Sequence, residues 1–314
     1  MFSDFGRLLV LLLPVAYQFG ADGFTTPLAG QSRTFNTRGN WASRGSIPNA
    51  IRPAFHTVLE QIGKTVLRPG GSEATEKMHS WADLREGDSV IELSAGLGRG
   101  GMDLAELYGC QVLLTDTDHV RLDKAEKTAE RRGLSKLVRT QEMNMLDVSG
   151  TRFQTRERGD SVPQFDVALI EAALLFQPRK NKASILNSLA GVSSRILIHD
   201  MCLRNVREDS DDVSRVKREM GPALGVNFRP ETESQWKALL ESSGWKVEHT
   251  DVGSLRVVDP KSILRDEGLR GSLRIIWNLI TKKNLRSRLL STRNVIHTHH
   301  NHLGYIIMSA VSKT

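Results

Sequence analysis

One stretch constrains the fold of this chain more than any other, because an apolar run, a cluster of glycines and a helix-like segment follow one another within residues 90–107. The apolar run includes Glu92 and ends at Leu93, and glycines stand at positions 96, 98, 100 and 101. Glycine lets the backbone pass close to a ligand, and a helix N-terminus presents free N–H groups. The stretch therefore predicts a strand, a tight loop and a helix that together bind a nucleotide-type ligand.

The acid before the glycines narrows the choice of ligand. The spacing Gly96-x-Gly98 alone serves dinucleotides, phosphates and adenosyl groups alike. A carboxylate at Glu92 would repel the pyrophosphate of a dinucleotide, but it would attract a cofactor that has a cationic amino-acid tail and no phosphate. S-adenosylmethionine has that shape and charge. Glu92 therefore argues against a dehydrogenase and favours S-adenosylmethionine as the cofactor.

Residues 92–98 resemble the first motif of class I S-adenosylmethionine-dependent methyltransferases, an acid followed by three glycines at alternate positions. Ser94 replaces the first of these glycines and is small enough for the turn. The similarity extends from about residue 67 to residue 313 and is greatest to small-molecule methyltransferases of bacteria and plastids. It implies an α/β fold with a doubly wound, seven-stranded, mostly parallel sheet and a helical lid. It also implies that the cofactor contacts Glu92, Ser94, Ala95, Gly96 and Gly98.

A second predicted strand, residues 111–115, ends at Asp116. Asp116 lies 20 residues after Gly96, where a carboxylate can accept both ribose hydroxyls of a bound nucleoside. The resemblance extends to Thr117, and we expect both residues to bind the cofactor. The alternative is an acid at a strand end that is simply solvated.

A third predicted strand, residues 136–142, precedes the expected adenine contacts. The resemblance implies that a side chain here hydrogen-bonds the adenine amino group, and Asn144 occupies that position. Asp147 is the competing assignment, although it could instead cap the next turn. Met145 fits either the core or a contact of its thioether with the adenine face.

Two further predicted strands supply the candidate catalytic residues. Residues 165–170 are followed by Glu171, and residues 195–198 are followed by His199 and Asp200. Ligands bind at the carboxyl edge of such a sheet, so we expect these three side chains beside the transferred methyl group, with Glu171 also in contact with the cofactor. The pKa range of histidine suits His199 to take a proton from an acceptor. The alternatives are that Glu171 caps a turn and that a neighbouring carboxylate satisfies His199, which then has no part in the chemistry.

The rest of the chain continues the α/β pattern. Helical periodicity predicts leading helices at residues 54–67 and 72–81 and a lid built from residues 208–220 and 269–280. Residues 154–162 are polar and predict a loop. Residues 245–250 and 303–311 predict the last two strands, in the order that matches the reversed seventh strand of the methyltransferase sheet.

Charge is distributed unevenly. Residues 1–70 carry a net charge of +4 and residues 261–314 a net charge of +8, so the remaining 190 residues carry −5. An acidic body with basic ends is a poor cradle for a phosphate backbone, which argues against a nucleic-acid substrate. The basic residues 282–293 could lie on a membrane or bind an anionic acceptor, or they could form a solvated helical face.

The cysteines and histidines do not predict a metal centre. The chain has only Cys110 and Cys202, which excludes a disulfide scaffold and a cysteine-rich zinc site. His297, His299, His300 and His302 match no standard zinc spacing. We therefore expect no metal, and nothing in the pattern predicts an oligomeric state.

The N-terminal residues have the composition of targeting segments ahead of one domain at residues 51–314. Residues 1–23 contain an apolar run of signal-peptide length, and residues 24–50 contain arginine, serine and threonine without any acid. This order resembles the bipartite presequences of algae with secondary plastids, which implies a plastid protein. The alternatives are a secretory signal or anchor that leads to the endoplasmic reticulum, and a mitochondrial presequence.

These observations predict an enzyme that transfers a methyl group from S-adenosylmethionine to a small molecule. The acceptor atom, whether oxygen, sulfur, nitrogen or carbon, stays open. A general base is needed only if the acceptor must lose a proton. The rivals are a module that binds the cofactor without catalysis and, less favoured by charge, a nucleic-acid methyltransferase.

Overall fold

The computed structural model describes residues 54–153, 164–257 and 260–313. The predicted targeting segments, residues 1–23 and 24–50, lie outside the described residues, and so does the predicted loop 154–162. Within the described part of the chain, no helix is long and apolar enough to cross a membrane.

A single sheet organises the domain. Its strands are β1 Ser89–Leu93, β2 Gln111–Asp116, β3 Val138–Glu142, β4 Phe165–Glu171, β5 Ser193–Leu203, β6 Glu231–Thr232, β7 Trp245–Ser254 and β8 Leu303–Ser312. The order across the sheet is β3-β2-β1-β4-β5-β8-β7, and the two-residue strand β6 pairs with β5 outside this path. β1 to β5 run parallel, whereas β8 is antiparallel to both β5 and β7. The predicted doubly wound sheet with a reversed closing strand is confirmed.

Helices cover both faces of the sheet. They are α1 Phe55–Ile62, α2 Gly71–His79, α3 Arg99–Tyr108, α4 His119–Arg131, α5 Arg179–Ala190, α6 Asp211–Leu224, α7 Glu233–Ser242, α8 Pro260–Thr281 and α9 Lys283–Thr298. One core cluster joins the sheet to α5 and α7, and another joins it to α2, α3 and α4. Because both faces are covered, the central strands are apolar almost throughout.

The lid has its own apolar core. Residues of α1, α6, α8 and α9 form a third cluster with Leu175, Met201 and Leu203, which lie at the carboxyl ends of β4 and β5. Gly268, at φ 64° and ψ −178°, breaks α8 into two helical halves. The lid therefore stands over the sheet edge where ligands of this architecture bind.

β5 is longer than the sequence predicts. It continues to Leu203 because β8 pairs with it residue by residue from Arg195 to Leu203. His199 and Asp200 therefore lie inside the strand and not at its end, which corrects the expectation that both project at the carboxyl edge. The apolar residues that follow Asp200 were the signal of this extension.

Candidate active site

A cavity of about 340 Å³ opens between the carboxyl ends of the strands and the lid. One part, which we call the glycine-turn half, is lined by Ser94, Ala95, Gly96, Leu97, Gly100, Asp116, Met145, Glu171 and Ala172. The other part, which we call the lid half, is lined by Phe55, Leu59, Leu175, Phe176, Met201, Leu224, Val226, Leu255, Val257 and Ile296. The first half contains the carboxylates of Asp116 and Glu171, and the second is apolar except for the imidazole of His56. The cavity is also lined by Glu60, Thr65, Arg68, Glu92, Arg99 and Arg121.

The glycine turn has the backbone conformation that its sequence predicts. Gly96 and Gly98 adopt φ values of 57° and 69°, and Ser94 adopts 53°, a left-handed angle that is rare for a residue other than glycine. A Cβ at Gly98 would lie 2.3 Å from Leu114 Cδ1, whereas a Cβ at Gly96 would meet only Arg121 Nη1, at 3.9 Å. Gly98 therefore packs the turn against β2, while Gly96 faces open space in the cavity.

The next two glycines bring α3 against two carboxylates. A Cβ at Gly100 would lie 2.3 Å from Glu171 Oε2, and one at Gly101 would lie 2.8 Å from Glu92 Oε2. The Gly101 N–H donates to Glu92 Oε2 at 2.7 Å. The predicted motif contained these glycines, but the sequence alone assigned them no role, because close packing between a helix and two strand ends is a tertiary property.

Asp116 lies at the end of β2 and lines the cavity, as expected. Its Oδ2 accepts from Gly96 N at 2.8 Å, and its Oδ1 accepts from Asp118 N at 3.0 Å. A carboxylate has about four lone-pair positions, so each oxygen can accept a further hydrogen bond. Thr117 is exposed and is not among the residues that line the cavity, which corrects its predicted position.

The residues after β3 are placed differently from expectation. Asn144 is exposed, and its Oδ1 accepts from Leu146 N at 3.0 Å, so it caps the short 3₁₀ helix Met145–Gly150. Neither Asn144 nor Asp147 lines the cavity, whereas Met145 does. A short amide side chain competes well for a nearby backbone N–H, which explains why Asn144 turns away.

A buried ion cluster lies behind the glycine-turn half. Arg68 Nε pairs with Glu171 Oε2 at 2.8 Å, and Arg68 Nη2 lies 3.6 Å from Asp103 Oδ2. Burial by itself would raise the pKa of Glu171, but the charge of Arg68 and the hydrogen bond of His199 bring that pKa below its ordinary value. Burial and the charge of Glu171 raise the pKa of Glu92. Arg68 is thus the cation that lets Glu171 stay ionised beside Glu92.

Arg68 itself retains a donor. Its Nη2 is buried and has no hydrogen-bond partner among the described residues. This nitrogen faces the carboxylate of Asp103, whose Oδ2 lies 3.6 Å away, and other atoms of Arg68 line the cavity. Arg68 was not predicted from the sequence, because it stands in a short connection between α1 and α2 with no motif around it.

His199 is held in one tautomer by its neighbours. Its Nε2 accepts from Gly70 N at 3.0 Å, so in the neutral ring the proton is on Nδ1. That nitrogen lies 3.4 Å from Glu171 Oε1 and 3.2 Å from Thr75 Oγ1. The residue is fully buried, and burial lowers its pKa. With both nitrogens engaged and no surface in the cavity, His199 is placed to position Glu171 and not to accept a proton from a ligand.

Asp200 points to a different set of partners. Its Oδ2 accepts from Leu175 N at 3.0 Å and its Oδ1 from Met201 N at 2.7 Å. Burial raises its pKa to about 6, and the side chain is fully buried and does not line the cavity. Asp200 therefore anchors the loop after β4. Of the three predicted catalytic residues, the structure brings only Glu171 to the cavity.

His56 on α1 brings an imidazole to the lid half. It lines the cavity, and its ring centroid lies 6.5 Å from that of Phe176. Burial, followed by the charge of Arg121, lowers the pKa of His56, so the ring is neutral at pH 7 and can accept a proton. His56 was not predicted from the sequence. Its position beside the apolar face of the predicted helix 54–67 could have indicated that it lies near a cavity.

The C-terminal histidines have structural partners. His299 is buried, and its Nε2 lies 2.8 Å from Glu219 Oε2, while the rings of His297 and His300 stack at 5.3 Å. Among the described residues, no group of three or more histidine, cysteine, aspartate or glutamate side chains could hold a metal ion.

Comparisons with known proteins agree with this architecture. No family model matches the chain. An uncharacterized protein of Haemophilus influenzae is 28% identical over 232 residues, which are 73% of this chain and 86% of that protein. The S-adenosylmethionine-dependent methyltransferases of Geobacter sulfurreducens and Thiobacillus denitrificans, both solved with S-adenosyl-L-homocysteine, each have a TM-score of 0.59 and 17% identity. Each comparison covers 83% of this chain, and 98% and 99% of the respective structures.

The fold is therefore the Rossmann-like fold of these methyltransferases. At such low identity the likeness extends to the fold and leaves the activity to be argued from the site.

Proposed function

We propose that the protein is an S-adenosylmethionine-dependent methyltransferase with a small, largely apolar acceptor. The observation that carries the proposal is the cavity itself. A glycine turn and the Asp116 carboxylate line one half, and an apolar chamber under the lid adjoins it. Such a site offers a polar cradle for a nucleoside next to a space that favours an apolar molecule.

The residues present fit the cofactor. The two oxygens of Asp116 retain lone pairs that suit ribose hydroxyls, and Gly96 leaves room where a side chain would intrude. The ionised carboxylate of Glu171, which lines the cavity beside Glu92, suits the ammonium group of the methionine tail. Met145 offers a thioether to the adenine ring.

S-adenosylmethionine supplies an electrophilic methyl group when it is bound. The task of the protein is then to align the acceptor with that methyl group and to exclude water. The apolar walls of the lid half, such as Leu175, Phe176 and Ile296, perform the second task. If the acceptor must lose a proton, the neutral ring of His56 is placed to accept it.

The apolar lining also bears on the rival functions. A nucleic-acid substrate needs a basic surface that follows phosphates, and a chamber walled by Phe55, Leu59 and Met201 has no such chemistry. A module that binds the cofactor without catalysis needs no second chamber. The adjoining lid half therefore supports transfer to a small molecule.

Calorimetry on the full chain tests the cofactor assignment. S-adenosyl-L-homocysteine should bind and NAD should not. Asp116→Ala should weaken binding by about 1.5 to 3 kcal/mol for each charged hydrogen bond lost. The matched control is Asp118→Ala, which removes an equal charge two residues away at a position that caps α4 and does not line the cavity. Selective binding of NAD, or equal losses in both variants, would refute the assignment.

Turnover requires a second experiment. Cells with and without the gene, fed isotopically labelled methionine, should differ in a labelled small molecule that partitions into organic solvent. The purified full chain should transfer the label to that molecule. Cofactor binding without any labelled product in either assay would leave the non-catalytic module as the function.

A further inference from the structure

The outer surface of α8 carries an apolar stripe. Leu269, Leu273 and Trp277 are 69%, 53% and 66% exposed. They are spaced four residues apart in the half of α8 after the Gly268 break, so they lie on one face of the helix. Large apolar side chains in a contiguous exposed row mark an interaction surface more often than single ones do. We call these three residues the α8 stripe.

The opposite side of the same helix is anchored in the lid. Ile275 and Leu279 are 3% and 5% exposed and belong to the lid core. Asn278 Nδ2 also donates to the carbonyl of Ile62, at the end of α1, at 3.0 Å. The helix already packs through its inner face. The α8 stripe therefore faces outward, away from the lid core.

Charge identifies the kind of partner that fits. The acids of α8 and α9 are Asp266 and Glu267, whose side chains are 1% and 2% exposed and contact Lys64 and Thr65. In the described residues 260–298, every exposed charged side chain of the two helices is therefore a lysine or an arginine. These are Lys261, Arg265, Arg270, Arg274 and Lys283, with Lys282 between the two helices. Of these cations, Arg265 pairs with Glu73 and Glu76 of α2.

An apolar row flanked by cations is complementary to an anionic lipid surface, where aliphatic and tryptophan side chains enter the acyl boundary and cations contact the headgroups. We propose that the α8 stripe docks the protein on an anionic membrane. The inner side of α8 belongs to the same apolar cluster as Leu59 and Ile296, which line the lid half of the cavity. Docking would thus place the apolar chamber beside the bilayer, from which a lipophilic molecule could enter. The docking itself does not depend on the proposed methyl transfer.

Vesicle sedimentation with the full chain tests the proposal. The wild-type protein should bind phosphatidylglycerol vesicles at least about tenfold more tightly than phosphatidylcholine vesicles, since each engaged cation favours an anionic surface by about fivefold. The triple variant L269S/L273S/W277S should lose about tenfold or more in binding to phosphatidylglycerol. The matched control is Leu107→Ser, because Leu107 is 64% exposed on α3, away from the lid.

A second measurement locates the contact and does not depend on the triple variant. Brominated phosphatidylglycerol should quench the fluorescence of the wild-type protein more than that of Trp277→Phe, because bromine quenches tryptophan at short range. Equal quenching of the two proteins would show that Trp277 does not enter the bilayer and would overturn the proposal.

Other occupants of the stripe give other results. If the triple variant binds vesicles as tightly as Leu107→Ser, residues outside α8 hold the membrane and the proposal is wrong. If light scattering shows a dimer that the triple variant dissociates, and vesicles do not bind, the stripe contacts a second copy of the chain. That result would also overturn membrane docking.

Discussion

The two halves of the cavity are held together by different forces. The glycine-turn half is supported by charges and hydrogen bonds at strand ends, including the buried pair of Arg68 and Glu171 and the hydrogen bond that Gly96 N donates to Asp116. The lid half is supported by apolar contacts between helices, and the imidazole of His56 is its proposed proton acceptor. Removal of a charge from the glycine-turn half should therefore lower the stability of the protein. A substitution in the lid half should instead change the turnover of its ligand.

The largest expected effect concerns the ion pair of the glycine-turn half. Arg68→Met leaves Glu171 buried without its cation, and loss of one partner of a buried pair costs about 3 to 5 kcal/mol. Urea unfolding should show a decrease of this size. In the Arg68→Met background, Glu171→Gln should restore a large part of the lost free energy, because an uncharged amide needs no cation. An unchanged unfolding midpoint in Arg68→Met would contradict the importance of the pair.

The stability of the folded protein should also depend on pH through His79 of α2, whose pKa is affected by the charges of Glu171 and Arg68. Burial lowers the pKa of His79 to about 4. The positive charges of Arg68 and His199 also lower this pKa, whereas the negative charges of Glu171 and Asp103 raise it. The unfolded chain binds this proton near pH 6.5, so the folded state loses stability as the pH falls from about 6.5 to 4. At about 1.4 kcal/mol per pKa unit, the whole loss is about 3 kcal/mol.

Thermal melts between pH 4 and pH 7 measure this effect. The free energy of unfolding of His79→Leu, relative to that of the wild type, should rise as the pH falls through this window. His119→Leu is the matched control, because His119 is exposed. A difference between His79→Leu and wild type that does not change with pH would show that His79 is not the group responsible.

His56 sharpens the comparison from the lid half. If the acceptor must lose a proton, His56→Gln should lower turnover about 100-fold, the size expected when a general base is removed, with the affinity for S-adenosyl-L-homocysteine unchanged. Because burial and Arg121 lower the pKa of His56, the acid limb of the wild-type pH profile should lie below the usual range of histidine. His119→Gln serves as the control.

Retained turnover in His56→Gln would point to an acceptor that needs no base, such as a neutral sulfur. A loss of cofactor affinity in the same variant would instead show that His56 belongs to the glycine-turn half.

The smallest expected effect concerns the backbone of the turn. Ser94 has a φ of 53°, and a left-handed conformation costs residues other than glycine roughly 1 to 2 kcal/mol. Since glycine loses more entropy on folding, Ser94→Gly should stabilise the protein by about 0.5 to 1 kcal/mol. Ser94→Ala removes the hydroxyl but retains the strain, so it should show no such gain in a melt. Equal effects of the two substitutions would mean that the hydroxyl, and not the φ angle, determines stability at this position.

The predictions from sequence succeeded where local chemistry decides structure. The apolar runs, the glycines and the acid at the end of β2 are recognisable from neighbouring residues alone, and the structure places Glu92, Gly96 and Asp116 together at the cavity. The capping box of Thr232 and Gln235 at the start of α7 is a second pattern of this kind. Both patterns operate over a few residues, where spacing determines geometry.

The predictions from sequence failed for features that depend on residues far apart in the chain. β5 continues through His199 and Asp200 because β8, about a hundred residues later, supplies its hydrogen bonds, and this buries both side chains. Asn144 accepts a hydrogen bond from Leu146 N, whereas the resemblance had implied a contact with adenine. Arg68 and His56 belong to no motif, and only the packing of α1 and its following segment brings them to the cavity.

The sequence by itself determined the glycine turn, the ligand-binding edge and the succession of strands and helices along the chain, because strands and turns are encoded by periodicity and by residues with special backbone freedom. The tertiary structure alone decided which polar groups reach the cavity and which form hydrogen bonds or ion pairs with one another instead. Glu171 faces the cavity because Arg68 compensates its charge, while His199 is occupied by Gly70 and Thr75. The physical reason is that burial makes an unpaired charge or hydrogen-bonding group costly, so each buried group takes the partner that the fold brings near.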